Sequence, residues 1–304
     1  MSGFDGVATM SYYAATETNE GGAPVVGGSK LAASLLVGML TLSCSNSNQE
    51  LSPQPTEMKH IHGLGLDPSD RALYAATHYG LFRVAEGGRP QRVGEQLHDF
   101  MGFTVIGADR FLASGHPAAE DLAQSSNLGL IESADGGRTW TPLSLEGEAD
   151  FHALDYRHGR VYGHDRQSNR IMISRDKKSW ELRATARVID MAVSPFDPQH
   201  VLVATPKGLQ RSMDGAATFV ATADAPLFAY LSWHDDSTLI GIDPTGTLYS
   251  SKDAGRTWHF KLALKQEPQA LLAAGQDRLF IATANTIYVS NDNGATIELL
   301  TSFE

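Results

Sequence analysis

The sequence predicts an all-β fold, a six-bladed β-propeller with about four antiparallel strands per blade, on two observations: a motif that recurs at near-constant spacing and short apolar strands between its copies. The clear copies are Ser133-Ala-Asp-Gly-Gly-Arg-Thr-Trp140, Ser174-Arg-Asp-Lys-Lys-Ser-Trp180, Ser212-Met-Asp-Gly-Ala-Ala-Thr-Phe219, Ser251-Lys-Asp-Ala-Gly-Arg-Thr-Trp258 and Ser290-Asn-Asp-Asn-Gly-Ala-Thr-Ile297. Their closing residues are spaced by 40, 39, 39 and 39 positions, the length of one four-stranded blade. A degenerate sixth copy, Arg83-Val-Ala-Glu-Gly-Gly-Arg89, keeps the paired glycines but has lost the Asp and the aromatic. Between copies run strands such as Leu73-Tyr-Ala-Ala-Thr, Phe111-Leu-Ala-Ser, Val201-Leu-Val-Ala-Thr and Leu279-Phe-Ile-Ala-Thr, separated by Gly and Asp turns.

In the repeated hairpin a short Ser or Asp side chain can bond nearby backbone amides, a glycine supplies positive φ, and the closing aromatic packs between blades. This motif resembles the Asp-box (BNR) repeat, and over roughly residues 60 to 300 the chain is similar to sialidase-like, sortilin-like and photosystem II assembly-factor-like propellers, a group often named glycosyl hydrolase-like. The resemblance implies the fold and says little of function. The Asp residues of the motif are read as folding staples on the face opposite the binding site, with no catalytic role.

Three segments are expected along the chain. Residues 1–44 read as a signal or lipoprotein-type segment: Lys30 precedes an apolar run, Leu31 to Leu42, too short to span a bilayer, and Ser43-Cys44 follows. Cys44, the one cysteine, resembles the lipidated residue of bacterial lipoproteins, although Thr41 stands where Leu is usual and residues 1–29 hold no Lys or Arg. The resemblance implies an extracytoplasmic protein on the bacterial cell envelope, touching the membrane only through this lipid anchor. Residues 45–58, polar and proline-containing, read as a disordered tether, and 59–304 as the propeller.

The formal net charge of -11 excludes nucleic acid and anionic lipid surfaces as partners. A single cysteine excludes a cysteine-based zinc site and a CxxC redox centre. Function is therefore sought where a blade departs from its counterparts. Counting back from the repeat places His62, Met101, His152, Met191, Tyr230 and Gln269 at equivalent positions at the start of each innermost strand, around one mouth of an axial channel. Alternation adds His60 beside His62, and Asp99 and Asp150 beside Met101 and His152. The loop after the second strand opens on the same face and carries His78, His116 and His164 in the first three blades. The candidate metal ligands are thus His60, His62, His78, Met101, His116, His152, His164 and Met191. Imidazole with thioether favours copper over hard cations. The insertion from Pro117 to Asn127 could cover that mouth or be an ordinary surface loop.

Three functions are compatible with these residues. A non-enzymatic propeller binding a soft metal ion, copper above others, is the leading expectation. A protein-binding or assembly scaffold would instead grip a peptide or protein loop in the axial cleft. A sialidase-like glycoside hydrolase would need paired carboxyl groups and an arginine cluster. Asp99 and Asp150 could pair, but Arg71, Arg110 and Arg160 lie in hairpin turns and Arg138 and Arg256 in the repeated motif.

Overall fold

The computed structural model of the protein describes residues 58–85, 88–118, 125–235, 238–275 and 277–303. Cys44, the apolar run before it, residues 45–57 of the tether and residues 119–124 of the insertion lie outside the described residues. Met58, the last tether position, is buried in the apolar cluster between the first and last blades, so packing begins one residue before the expected boundary.

The described strands form six four-stranded antiparallel sheets, each from one continuous stretch of chain. Blade one comprises β1 (Ile61–Leu66), β2 (Leu73–Thr77), β3 (Gly80–Val84) and β4 (Gln91–Val93). Blade two is β5 (Asp99–Gly107), β6 (Arg110–His116), β7 (Leu130–Ser133) and β8 (Thr141–Ser144). Blade three holds β9 (Phe151–Arg157), β10 (Arg160–Asp165), β11 (Arg170–Ser174) and β12 (Glu181–Thr185). Blade four runs through β13 (Asp190–Val193), β14 (Val201–Thr205), β15 (Gly208–Ser212) and β16 (Val220–Ala221). Blade five contains β17 (Tyr230–Trp233), β18 (Leu239–Ile242), β19 (Thr247–Ser251) and β20 (His259–Ala263), and blade six β21 (Ala270–Ala273), β22 (Leu279–Ala282), β23 (Thr286–Ser290) and β24 (Glu298–Ser302).

The core is divided into six clusters, one per blade interface, because each sheet is apolar on both faces and buries them against its neighbours. The residue that closes each motif enters such an interface: Trp140 packs on Phe100, Trp180 on Phe151 and Trp258 on Phe228, with ring centroids 4.9, 4.7 and 4.4 Å apart. The motif itself is a hydrogen-bonded knot. Ser133 Oγ donates to Asp135 Oδ1 and accepts from the Gly137 amide, while Asp135 accepts the amide and hydroxyl of Thr139. The same bonds recur around Asp214, Asp253 and Asp292. Donation from Thr296 holds the Asp292 carboxyl at about 2. In the shorter second copy Asp176 bonds the amides of Lys178 and Ser179 instead, and Lys177 takes the positive φ. These carboxylates are fully engaged in the hairpin, as expected of staples.

The innermost strands leave an edge of unpaired backbone groups facing the axis, and side chains of the preceding blade satisfy several of them. Ser114 Oγ accepts from Phe151 N, Asp155 from Val193 N, Asp190 from Leu231 N and Ser232 from Ala273 N. Gln269 Oε1 accepts from Ile61 N at 2.9 Å, which joins blade six to blade one. The ring therefore closes through side chains and the Met58 cluster rather than through an exchanged strand.

Candidate functional site

β1, β5, β9, β13, β17 and β21 surround an axial cavity of about 480 Å³. His62, His152, Met191 and Tyr230 line it near the end where the inner strands begin, and Arg157 and His234 lie where they finish.

The local backbone explains which predicted residues meet. In β1, β5 and β9 the ladder slips by one residue near its start, between Ile61 and Gly63, Phe100 and Gly102, and Phe151 and Ala153. The extra residue of each bulge is His62, Met101 and His152, so these three are structural equivalents, as the repeat count predicts. A bulged residue escapes the strict alternation of its strand, which turns it toward the mouth. The residue after each bulge is small for a steric reason: a Cβ at Gly63 would lie 2.9 Å from the Phe103 Cβ, and one at Gly102 would lie 2.4 Å from the Phe151 carbonyl oxygen.

β13, β17 and β21 pair without this slip. The hairpin turns align the blades independently: Thr77 Oγ1 donates to Gly80 O, and Thr205 Oγ1 to Gly208 O. With the turns superposed, Asp190 rather than Met191 stands at the position of Gly63, because Asp190 pairs with Ala204 as Gly63 pairs with Ala76. Met191 stands at the level of Leu64, opposite Val203 as Leu64 is opposite Ala75, and although it borders the cavity it is buried with Tyr162, Val201 and Val203. The ring expected from even spacing thus holds over three blades, and Gln269 serves the blade closure described above.

The turn between β2 and β3 brings in His78. Its amide donates to Lys59 O, and Gly80, at φ 96°, donates to His98 O of the next blade. His78 Nδ1 stands 2.6 Å from Asp99 Oδ1 and 3.4 Å from His62 Nε2. One donor atom from each of His62, His78 and Asp99 lies within 4.8 Å of the other two. The His60 ring, at a backbone φ of 52°, lies 4.8 Å from that of His78, and the His62 ring lies 4.6 Å from it. Positive φ at a residue that is not glycine costs energy and concentrates at functional sites.

A second group flanks the first. His152 Nε2 lies 2.8 Å from Asp150 Oδ2, and His116 Nε2 lies 3.7 Å from the same oxygen. His116 Nδ1 donates to Ser126 O, and His164, fully buried in β10, donates from Nε2 to Ala186 O. Met101 is half-buried in its bulge.

The electrostatics favour neutral imidazole. Burial, followed by the fields of His78, His152 and His60, lowers His62 from 6.5 to about 4, against the opposing pull of Asp150. Burial likewise lowers His164. Neutral imidazole is the form that ligates metals, so His62 is ready to ligate under mildly acidic conditions. In a tetrahedral site with bonds of 2.0–2.1 Å, donor atoms are about 3.4 Å apart. The His62–His78 nitrogens already stand at that distance.

Asp99 and Asp150 carry more of the arrangement than the histidine pattern alone suggests. Their signal in the sequence is the recurrent Asp-Phe pair, Asp99-Phe100 and Asp150-Phe151, at the head of an inner strand. No arginine cluster of sialidase type accompanies them: of the described residues that line the cavity, Arg157 is the arginine, and it donates to Trp233 O at 2.8 Å.

No protein-family model matches the sequence, and no curated protein sequence does. Among solved structures, the propeller is similar to the GH74 xyloglucanase of Xanthomonas campestris, at 17% identity and a TM-score of 0.54 over 81% of this chain and 46% of that one. An ancestral GH74 enzyme gives 12% identity and 0.52 over 82% and 39%. YCF48 bound to D1 peptide gives 15% identity and 0.50 over 81% and 82%. The chain spans less than half the length of the two GH74 chains. At these identities the likeness shows the fold alone, a β-propeller, in agreement with the six four-stranded sheets of this chain.

Proposed function

We propose that this protein is a non-enzymatic propeller that binds a divalent first-row transition metal ion at the channel mouth through His62, His78 and Asp99. The observation that carries the reading is the convergence of two imidazole nitrogens and one carboxylate oxygen from two blades within 4.8 Å. Two nitrogens and an oxygen suit Cu(II), Zn(II), Ni(II) and Fe(II), with Cu(II) first in the affinity order. The burial of Met191 removes one of the two expected thioethers, which favours Cu(II) over Cu(I). The Cys44 pattern supports placing this activity on the cell envelope, in metal storage, delivery or sensing.

A second reading, capture of a peptide or protein loop in the axial cavity, is favoured by the likeness to YCF48 over most of both chains. Metal retention separates the two. Full-length protein carrying Cys44→Ser, so that no thiol competes, is loaded with each ion, dialysed and analysed for metal. The metal reading expects stoichiometric retention that falls by one ion per chain in a His62→Ala/His78→Ala variant. Equal retention by that variant turns the assignment toward the scaffold.

A further inference from the structure

The group formed by His116, Asp150 and His152 shares no residue with the His62/His78/Asp99 donors and has two features of a site prepared for a cation. The first is an acceptor without a donor. The Asp150 side chain is 5% exposed; its Oδ2 faces both imidazoles, and its Oδ1 is buried with no hydrogen-bond partner among the described residues. Burying a carboxylate oxygen unpaired costs free energy that a bound cation recovers. His164 repeats the pattern: it lies within electrostatic reach of His152, spends Nε2 on the Ala186 carbonyl, and leaves Nδ1 buried as an unpartnered acceptor.

The second feature is orientation. His116 donates its Nδ1 proton to the Ser126 carbonyl at 2.9 Å, which fixes the ring and leaves the Nε2 lone pair directed at Asp150. A metal-ligating histidine commonly shows this arrangement, with the non-ligating nitrogen anchored on a carbonyl. In the metal-free protein the His152 Nε2 proton occupies the place a cation would take against Asp150 Oδ2, at 2.8 Å. Loading there requires that proton to leave Nε2, and in a neutral ring it moves to Nδ1 as the tautomer changes.

We infer that His116, Asp150 and His152 hold a second divalent transition metal ion beside the first, making the channel mouth a two-ion site. The inference rests on the reading of His62, His78 and Asp99 as the first position. The two positions adjoin, since His62 lies within electrostatic reach of both His152 and Asp150. Occupancy of one position by a dication therefore raises the electrostatic cost of placing a second dication beside it.

The test is a Cu(II) titration of full-length Cys44→Ser protein by equilibrium dialysis with elemental analysis. The background protein binds two ions per chain. Asp150→Asn and, separately, His116→Ala each bind one, as does His62→Ala/His78→Ala, and combining Asp150→Asn with that pair leaves none. Circular dichroism and thermal melting establish that each variant folds; if Asp150→Asn does not, His116→Ala decides, since its side chain is 37% exposed and bonds only at the surface. One ion in the background protein, lost with His62 and His78, overturns the second position and leaves the first standing. Two ions that persist in both Asp150→Asn and His116→Ala place the second ion elsewhere and overturn the inference. No bound ion overturns both.

Discussion

Loading the protein with Cu(II) at a hundredfold excess over its dissociation constant raises the melting temperature by about 5–10 °C for each position filled, and His78→Ala removes the share due to the position it builds with His62 and Asp99. The magnitude follows from linkage: a ligand that binds only the folded state at that excess adds about 2.7 kcal/mol, and each kcal/mol moves the midpoint of a domain this size by about 2–4 °C. His78 is the decisive position because its Nδ1 is the atom nearest to both other donors, Asp99 Oδ1 at 2.6 Å and His62 Nε2 at 3.4 Å. The variant should lose little stability without metal. The His78 side chain is 32% exposed in a turn whose own bonds come from Thr77 Oγ1 and backbone, so removing the imidazole leaves the turn intact. Its loss also removes one of the fields that depress His62, whose titration should then move back toward 6.5, as an NMR titration would read. Differential scanning calorimetry with and without Cu(II) checks the main effect.

Asp190→Asn stabilises the protein at pH 8 and leaves it nearly unchanged at pH 4. Asp190 lies on the axial cavity, where burial pushes its carboxyl up from 3.8 to about 7, with the Asp155 charge adding to the rise against the amides of Leu231 and Met191. The sign follows from proton counting. Between those two values the folded chain holds a proton that the unfolded chain has released, so stability falls as pH rises from about 4 and levels off once the folded carboxyl ionises above about 7. The total decline is at most about 4 kcal/mol, because each pH unit between the two values contributes about 1.36 kcal/mol. Asparagine keeps the acceptor for the Leu231 amide, bonded at 2.7 Å, and carries no charge to desolvate. Melting curves of both proteins from pH 4 to 8 should diverge as pH rises. Parallel curves would mean that Asp190 is ionised in the fold throughout.

The fold was legible because it repeats. Motif copies 39 or 40 residues apart fix the number of strands per blade, and the five clear closing residues are the ones that enter blade interfaces. The site was legible in part. His60, His62, His78, His116 and His152 do gather around two carboxylates, because both the start of an inner strand and the turn after the second strand open on one face. Met191 did not follow, and the reason is the bulge. The bulge present in β1, β5 and β9 is absent from β13, so Met191 falls level with Leu154, two residues past His152, on a regular strand instead of in a bulge. Equal spacing hides such an insertion when a loop elsewhere in the blade is correspondingly shorter, as in the short second motif copy at Ser174–Trp180. Small residues directly after the bulged position, Gly63, Gly102 and Ala153, were the local signal of close inter-blade approach. The roles of Asp99 and Asp150 depended on distances between blades, which no periodicity within one strand reports.

The central claim is that the channel mouth binds a transition metal through His62, His78 and Asp99. Its most direct test is anomalous diffraction at the copper edge from Cu(II)-loaded crystals. The expected result is a peak about 2.0–2.2 Å from His62 Nε2, His78 Nδ1 and an Asp99 carboxylate oxygen, at ordinary metal–ligand distances for nitrogen and oxygen donors. A mouth with no anomalous peak, and His78 still bonded to Asp99, would contradict it.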